Sequence, residues 1–172
     1  MTHESRAKLR RVQELLDLAD GATHREYAAG DVVIVDGEPV QSLFVLVEGS
    51  LRIEKAGVLV AQVSESGACV GEMSLLLGVP ATADVVAGEP TRLAVIDDAR
   101  ALLVSDAQLP LALARLLAAR LQVMTTYLAD LKNQYADHEG GLGMVDVVLG
   151  SLMRGPGSRS TLGSARDPDP EY

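Results

Sequence analysis

Residues 43–53 read Leu43-Phe44-Val45-Leu46-Val47-Glu48-Gly49-Ser50-Leu51-Arg52-Ile53, two aliphatic and β-branched runs hinged on a glycine. Runs this short, rich in strand-forming side chains and split by a turn residue, predict a pair of strands. The same text continues on both sides. Further runs at 32–35, 58–63, 83–86 and 93–96 are separated by glycine-bearing turns, and no stretch between them has the length and period of a helix. Strands without intervening helices cannot form the crossovers of a parallel sheet. The expected fold is therefore mainly β with flanking helices: an antiparallel jelly-roll (double-stranded β-helix) sandwich over residues 24–105.

The flanks change period. Leu9, Val12, Leu16 and Ala19 recur at helical spacing between charged residues, predicting an N-terminal amphipathic helix within 1–23. A second helical pattern fills 106–138, with Asp106 placed to cap it and Pro110 in its first turn, where proline is tolerated. Along it Ala114, Leu121, Leu128 and Tyr135 alternate with Leu117, Met124 and Leu131 as the a and d positions of three heptads. Two readings of that stripe are open: a homodimeric coiled coil with these seven residues as its interface, or packing on the chain's own sandwich. Residues 139–172 turn rich in Gly, Ser, Pro and Asp, the composition of a flexible tail. Met144, Val145, Val148, Leu149 and Leu152 interrupt it with one face of a short amphipathic helix near 143–153, suited to docking on the domain or on a protein partner.

Bulk properties remove several function classes. A chain of 172 residues supports one domain with appendages, and with 48% hydrophobic residues, 3% aromatics and no tryptophan its core rests on Leu, Val, Ile and Ala. The net charge of −9 and a pI near 4.7 repel nucleic acid and anionic membrane surfaces alike, so neither DNA nor membrane is an expected partner. The single cysteine, Cys69, forms no internal disulfide and reads as a small buried hydrophobe. His3, His24 and His138 are far apart, no metal-ligand spacing exists, and no metal is expected. The polar, charged start and the lack of any ~20-residue apolar window give the cytoplasm as the expected compartment.

Gly30, Gly37 and Gly49, followed by Gly71-Glu72-Met73-Ser74-Leu75-Leu76 and Pro80-Ala81-Thr82-Ala83-Asp84-Val85, occur in an order and at intervals that resemble the cyclic-nucleotide-binding domain family, over roughly residues 24–136. Such glycines suit positive-φ turns between strands that close into a roll. The resemblance implies a ligand site in which Gly71, Glu72, Met73 and Ser74 open a short helix whose backbone N–H groups face a cyclic phosphate. It also implies that Glu72 accepts a hydrogen bond from the ribose 2′-hydroxyl. Arg120-Leu121-Gln122-Val123 followed by Met124-Thr125-Thr126 resembles the long helix of the bacterial catabolite activator. There the resemblance makes Thr125, with Thr126 second, a contact to the base, donated across a dimer. The competing reading is a helix-face hydroxyl bonding its own backbone.

The chain also departs from the family. The segment that normally reads Pro-Arg-Ala-Ala-Thr-Val carries Ala81 where the phosphate-binding arginine stands, followed by Thr82 and Ala83, and Asp84 lies close by. Removing a guanidinium from a buried phosphate costs about 2–5 kcal/mol, or roughly 30- to several-thousand-fold in affinity. Asp84 adds about 3 kcal/mol of repulsion if it faces the phosphate at ~5 Å, and none if it faces solvent. Arg52, Lys55, Arg92 and Arg100 are the basic residues that folding could bring in as replacements. Relatives that act as transcription factors append a winged helix-turn-helix; the residues after the long helix have neither its length nor its charge.

Histidine-free strands argue against a metalloenzyme of the cupin kind, and neither Cys69 nor Ser74 sits in a nucleophile motif, so no catalytic residue is expected. The expected function is a non-enzymatic, dimeric regulatory module without a cofactor. It senses a cyclic nucleotide or related small molecule, with ordinary cyclic AMP bound weakly or not at all. The alternative is a ligand-independent interaction or scaffold protein with a vestigial pocket.

Overall fold

In the computed structural model the described residues are 13, 15–17, 19–134 and positions 145, 148 and 152. The chain divides into two compact units, 1–117 and 118–172. Among the described residues eight strands, all paired antiparallel, make two four-stranded sheets. They are β1 (Thr23–Tyr27), β2 (Val32–Ile34), β3 (Leu43–Glu48), β4 (Leu51–Lys55), β5 (Val58–Val63), β6 (Cys69–Val70), β7 (Asp84–Ala87) and β8 (Thr91–Ile96). The first sheet runs β1-β8-β3-β6 and the second β2-β7-β4-β5. The mainly β, antiparallel sandwich expected from the sequence is the observed fold.

The decisive stretch, 43–53, forms β3 and β4, and Gly49 turns between them at φ 96°. β3 and β8 are apolar without alternation because both of their faces are covered. Phe44, Leu46, Leu93 and Val95 face a core between the sheets, shared with Ile34, Leu51, Val70, Ala81 and Val85. Leu43, Val45, Ala94 and Ile96 point the other way, into a second core roofed by helical residues. Successive side chains on a strand alternate faces, so one apolar run serves two cores.

Three helices supply that roof: α1 (Glu72–Leu77), α2 (Ala99–Ser105) and α3 (Gln108–Gln134). Leu75 of α1, Ala99 of α2 and Leu109, Ala112 and Leu113 of α3 are buried there with Leu15, Ala19 and the fully buried Cys69. The Asp106 carboxylate accepts the N–H of Gln108 at 2.7 Å as α3 begins, and Pro110 falls in that first turn, where its missing N–H costs nothing. No single helix among the described residues is long and apolar enough to cross a membrane.

Three elements escaped the sequence reading: β1, β6 and the helix α2, which lies inside the 24–105 expected as β-roll. β1 reads Thr-His-Arg-Glu-Tyr with four of five residues exposed; it exists as an edge paired to β8, Thr23 to Val95 through Tyr27 to Thr91. β6 is only two residues long. Most of the expected N-terminal helix lies outside the described residues, although Gln13 and 15–17 are helical. Tyr135 and most of the expected 143–153 helix lie outside them too; Val145, Val148 and Leu152 are helical and half-buried.

Candidate functional site

The Gly71-Glu72-Met73-Ser74 segment leaves β6 and starts α1. Gly71 precedes the helix at φ 91°, and a Cβ on it would stand 2.9 Å from the Ser42 carbonyl oxygen and 3.2 Å from Val40 Cγ1. Both the left-handed conformation and the close approach exclude other residues. α1 is short, closed by Gly78, whose N–H donates to the Ser74 carbonyl at 2.9 Å. Its inner side buries Glu72, Ser74 and Leu75, with Glu72 only 3% exposed, while Met73, Leu76 and Leu77 face outward.

The 80–83 segment returns toward β7. Ala81 donates its N–H to the Glu38 carbonyl and accepts the N–H of Gly37, both at 2.8 Å, so the backbone is clamped to the β2–β3 turn. Its methyl is buried in the inter-sheet core, where Ile34 also borders Gly71. Thr82 is exposed and Ala83 half-buried. Asp84, whose direction the sequence left open, accepts the Asp36 N–H at 2.8 Å. Asp36 in turn holds Lys55, with Nζ at 2.7 and 2.9 Å from its two oxygens. The carboxylate at 84 therefore fastens the same turn that clamps Ala81, a bond across 48 residues that no local pattern announces.

Basic residues lie elsewhere. Arg52 falls between Leu51 and Ile53, which pack into the inter-sheet core, so strand alternation turns it to the outer face, where Nε lies 3.4 Å from Glu54. That contact is an ion pair without hydrogen-bond geometry, since the same buried Nε has no hydrogen-bond partner. Arg92 shares the Ala94 face of β8 and pairs with Glu48 at 3.4 Å. Lys55 is taken by Asp36, and Arg100 stands at the start of α2. Three of the four are thus paired with acids, and Arg100 shares the lining of a cleft with Ser74 and Pro80.

Thr125 and Thr126 belong to the second unit. Their hydroxyls donate to the carbonyls four residues back, Leu121 at 2.8 Å and Gln122 at 3.0 Å. Of the heptad positions, Ala114, Leu121 and Met124 are exposed and Leu117, Leu128 and Leu131 half-buried. Among the described residues no three His, Cys, Asp or Glu side chains gather as metal ligands.

A two-sheet roll carrying a glycine-flanked short helix and a long following helix is the architecture of a regulatory domain. Residues 24–103 match the model of the cyclic nucleotide-binding domain family. The cGMP-dependent protein kinase egl-4 of Caenorhabditis elegans is 32% identical over 85 residues, 49% of this chain and 11% of the kinase. The chain thus spans about a tenth of the length of the curated relatives it matches. Among solved structures, the catabolite activator protein of Thermus thermophilus aligns with TM-score 0.56 and 30% identity over 69% of this chain and 59% of that one. The regulatory subunit of a cAMP-independent protein kinase A from Trypanosoma brucei aligns with TM-score 0.51 and 28% identity, over 60% and 38%.

Proposed function

We propose that the chain is a non-enzymatic regulatory module whose roll is disarmed toward ordinary cyclic nucleotides and answers to a less anionic, nucleotide-like molecule. The observation that carries this reading is Ala81, a methyl packed in the inter-sheet core on a backbone hydrogen-bonded in both directions, with the roll's nearby cations spent on carboxylates. A cyclic phosphate brought to the Gly71–Ser74 segment would not find the family's guanidinium at position 81, and losing that partner weakens binding by roughly 30- to several-thousand-fold. The Trypanosoma relative, whose kinase is described as cAMP-independent, supports the idea that such a roll can regulate without cyclic AMP. Glu72, Ser74 and Thr82 remain as polar groups for a ligand. If Thr125 contributes, its hydroxyl must release the Leu121 carbonyl. Two copies pair through the heptad stripe that begins at Ala114, in the cytoplasm.

Apolar side chains left exposed favour a second reading, a dimeric interaction protein with a vestigial pocket. Met73 is 51% and Leu77 66% exposed on the outer side of α1, a surface suited to a protein partner. Isothermal titration of nucleotide-stripped protein with cyclic AMP and cyclic GMP, beside Ala81→Arg, separates the two. The disarmed roll predicts millimolar or absent binding that tightens at least about 30-fold in Ala81→Arg. Micromolar binding by the unmodified chain would sink it, and silence in both proteins favours the interaction protein.

A further inference from the structure

A cleft of about 530 Å³ lies in the first unit between the β2–β3 loop at 39–41, the far end of α1 and the start of α2. Neither Ala81 nor Glu72 lines it, although Pro80 and Ser74 do. Two opposite charges do line it, Asp98 and Arg100, and neither has a hydrogen bond or ion pair to its side chain among the described residues. The contrast with their neighbours is direct. Asp97 accepts from Ser42 Oγ at 2.9 Å and pairs with Arg25 at 3.5 Å, whereas Lys55, Arg52 and Arg92 are each committed to an acid.

Local geometry keeps the two cleft charges apart. Asp98 precedes α2 with φ 51° and ψ 33°, a left-handed backbone that aspartate and asparagine adopt more readily than other non-glycine residues. Arg100 follows two positions later, a spacing at which helical side chains do not face each other. Its Nη2 overhangs the end of α1, 3.0 Å from where a Cβ on Gly78 would stand. The lining also includes apolar side chains, Leu75 and Val79 among them, and two neutral polar ones, Gln41 and Ser74.

From this arrangement we propose that the cleft binds a small zwitterion with an apolar body, an amino acid or dipeptide. Its carboxylate takes Arg100, its ammonium takes Asp98, and its side chain lies on Leu75 and Val79 with Gln41 and Ser74 bonding what remains polar. The charges select this class. A simple anion would meet the Asp98 carboxylate, a simple amine would meet the guanidinium, and a polyphosphate would face both Asp98 and a chain of net charge −9. The volume falls within the ~300–1,000 Å³ of small-molecule sites. The cleft shares Ser74 with the nucleotide reading but neither Glu72 nor Ala81, and its two charges, Asp98 and Arg100, belong to it alone.

The test is titration of the full chain, by calorimetry and by amide chemical shifts, with L-leucine, L-phenylalanine and leucyl-leucine. The controls are 4-methylpentanoate and isopentylamine, each carrying one of the two charges. At least one zwitterion should bind once per chain, and at least about 10-fold more tightly than either control. Arg100→Gln and Asp98→Asn should each weaken it about 10- to 100-fold with the unfolding midpoint unchanged, because Arg100 is exposed and asparagine tolerates the left-handed backbone. No response to all three probes at about 10 mM would overturn the proposal, and so would controls that bind as well as the zwitterions or variants that bind like the parent.

Discussion

Gly49 lets two turns of the roll touch: a Cβ there would stand 2.5 Å from Thr91 Oγ1 and 2.6 Å from the Pro90 carbonyl oxygen. Thr91 uses that closeness. Its hydroxyl oxygen accepts the Ser50 N–H at 3.2 Å, and its proton has the Ser50 and Glu89 carbonyls within 3.0 and 2.7 Å. Thr91→Val keeps the shape and the β-branch but strips a buried N–H of its acceptor. The expected loss is about 1–3 kcal/mol, seen as a lower urea midpoint at unchanged slope. Ala56 predicts the opposite sign. The β4–β5 hairpin pairs Lys55 with Val58 across a two-residue loop, Ala56 at φ 50° and Gly57 at φ 76°. Two positive φ values are the type I′ turn that favours Asn-Gly, so Ala56→Asn should stabilise by about 0.5–1 kcal/mol, read as a raised thermal midpoint. Gly49 was legible as a turn because glycine announces one. Ala56 was not, because alanine carries no turn preference and only the pairing on either side forces its conformation.

The elements differ in how much of themselves they write into the sequence. β3 and β8 are easily read, since two buried faces demand an uninterrupted apolar run. β1 is hard to read because its support is the backbone ladder to β8, and a ladder has no sequence of its own. The same division runs through the candidate site: the Gly71-Glu72 start of α1 and the missing arginine at Ala81 stand in the residue order, but the Asp84–Asp36 bond and the cleft beside Arg100 join segments that only folding brings together. α3 carries two patterns on adjoining faces. Leu109, Ala112, Leu113 and Leu116 pack on the first unit's core, while the heptad stripe starts at Ala114. Leu113 is 1% exposed, so Leu113→Ala should cost about 2–5 kcal/mol of unfolding free energy in urea titration. That value measures how far the root of α3 belongs to the folded roll.

For the molecule as a whole, the open quantity is the number of chains. Beyond the root of α3 the helix exposes Leu121 at 45%, Met124 at 53% and Tyr127 at 63%, a run of apolar surface that a lone chain leaves in water. In the heptad frame set by Ala114, the e positions are Ala118, Thr125 and Lys132 and the g positions Arg120, Tyr127 and Gln134. No acid stands at e or g, so paired helices gain no cross-seam ion pairs, and their association must come from the a and d side chains. Two consequences can be measured together by light scattering behind a sizing column. The parent should run at twice 18.1 kDa and keep that mass in about 1 M salt, where screening abolishes attraction between exposed charges but not apolar contact. Leu121→Glu with Met124→Glu puts charge into the seam and should yield a monomer that still unfolds cooperatively, because neither residue belongs to a buried core. A monomeric parent would remove the dimer from the proposed function. A dimer that survives the double substitution would place its interface elsewhere, with the exposed Val58, Leu59 and Val60 of the edge strand β5 the next surface to charge.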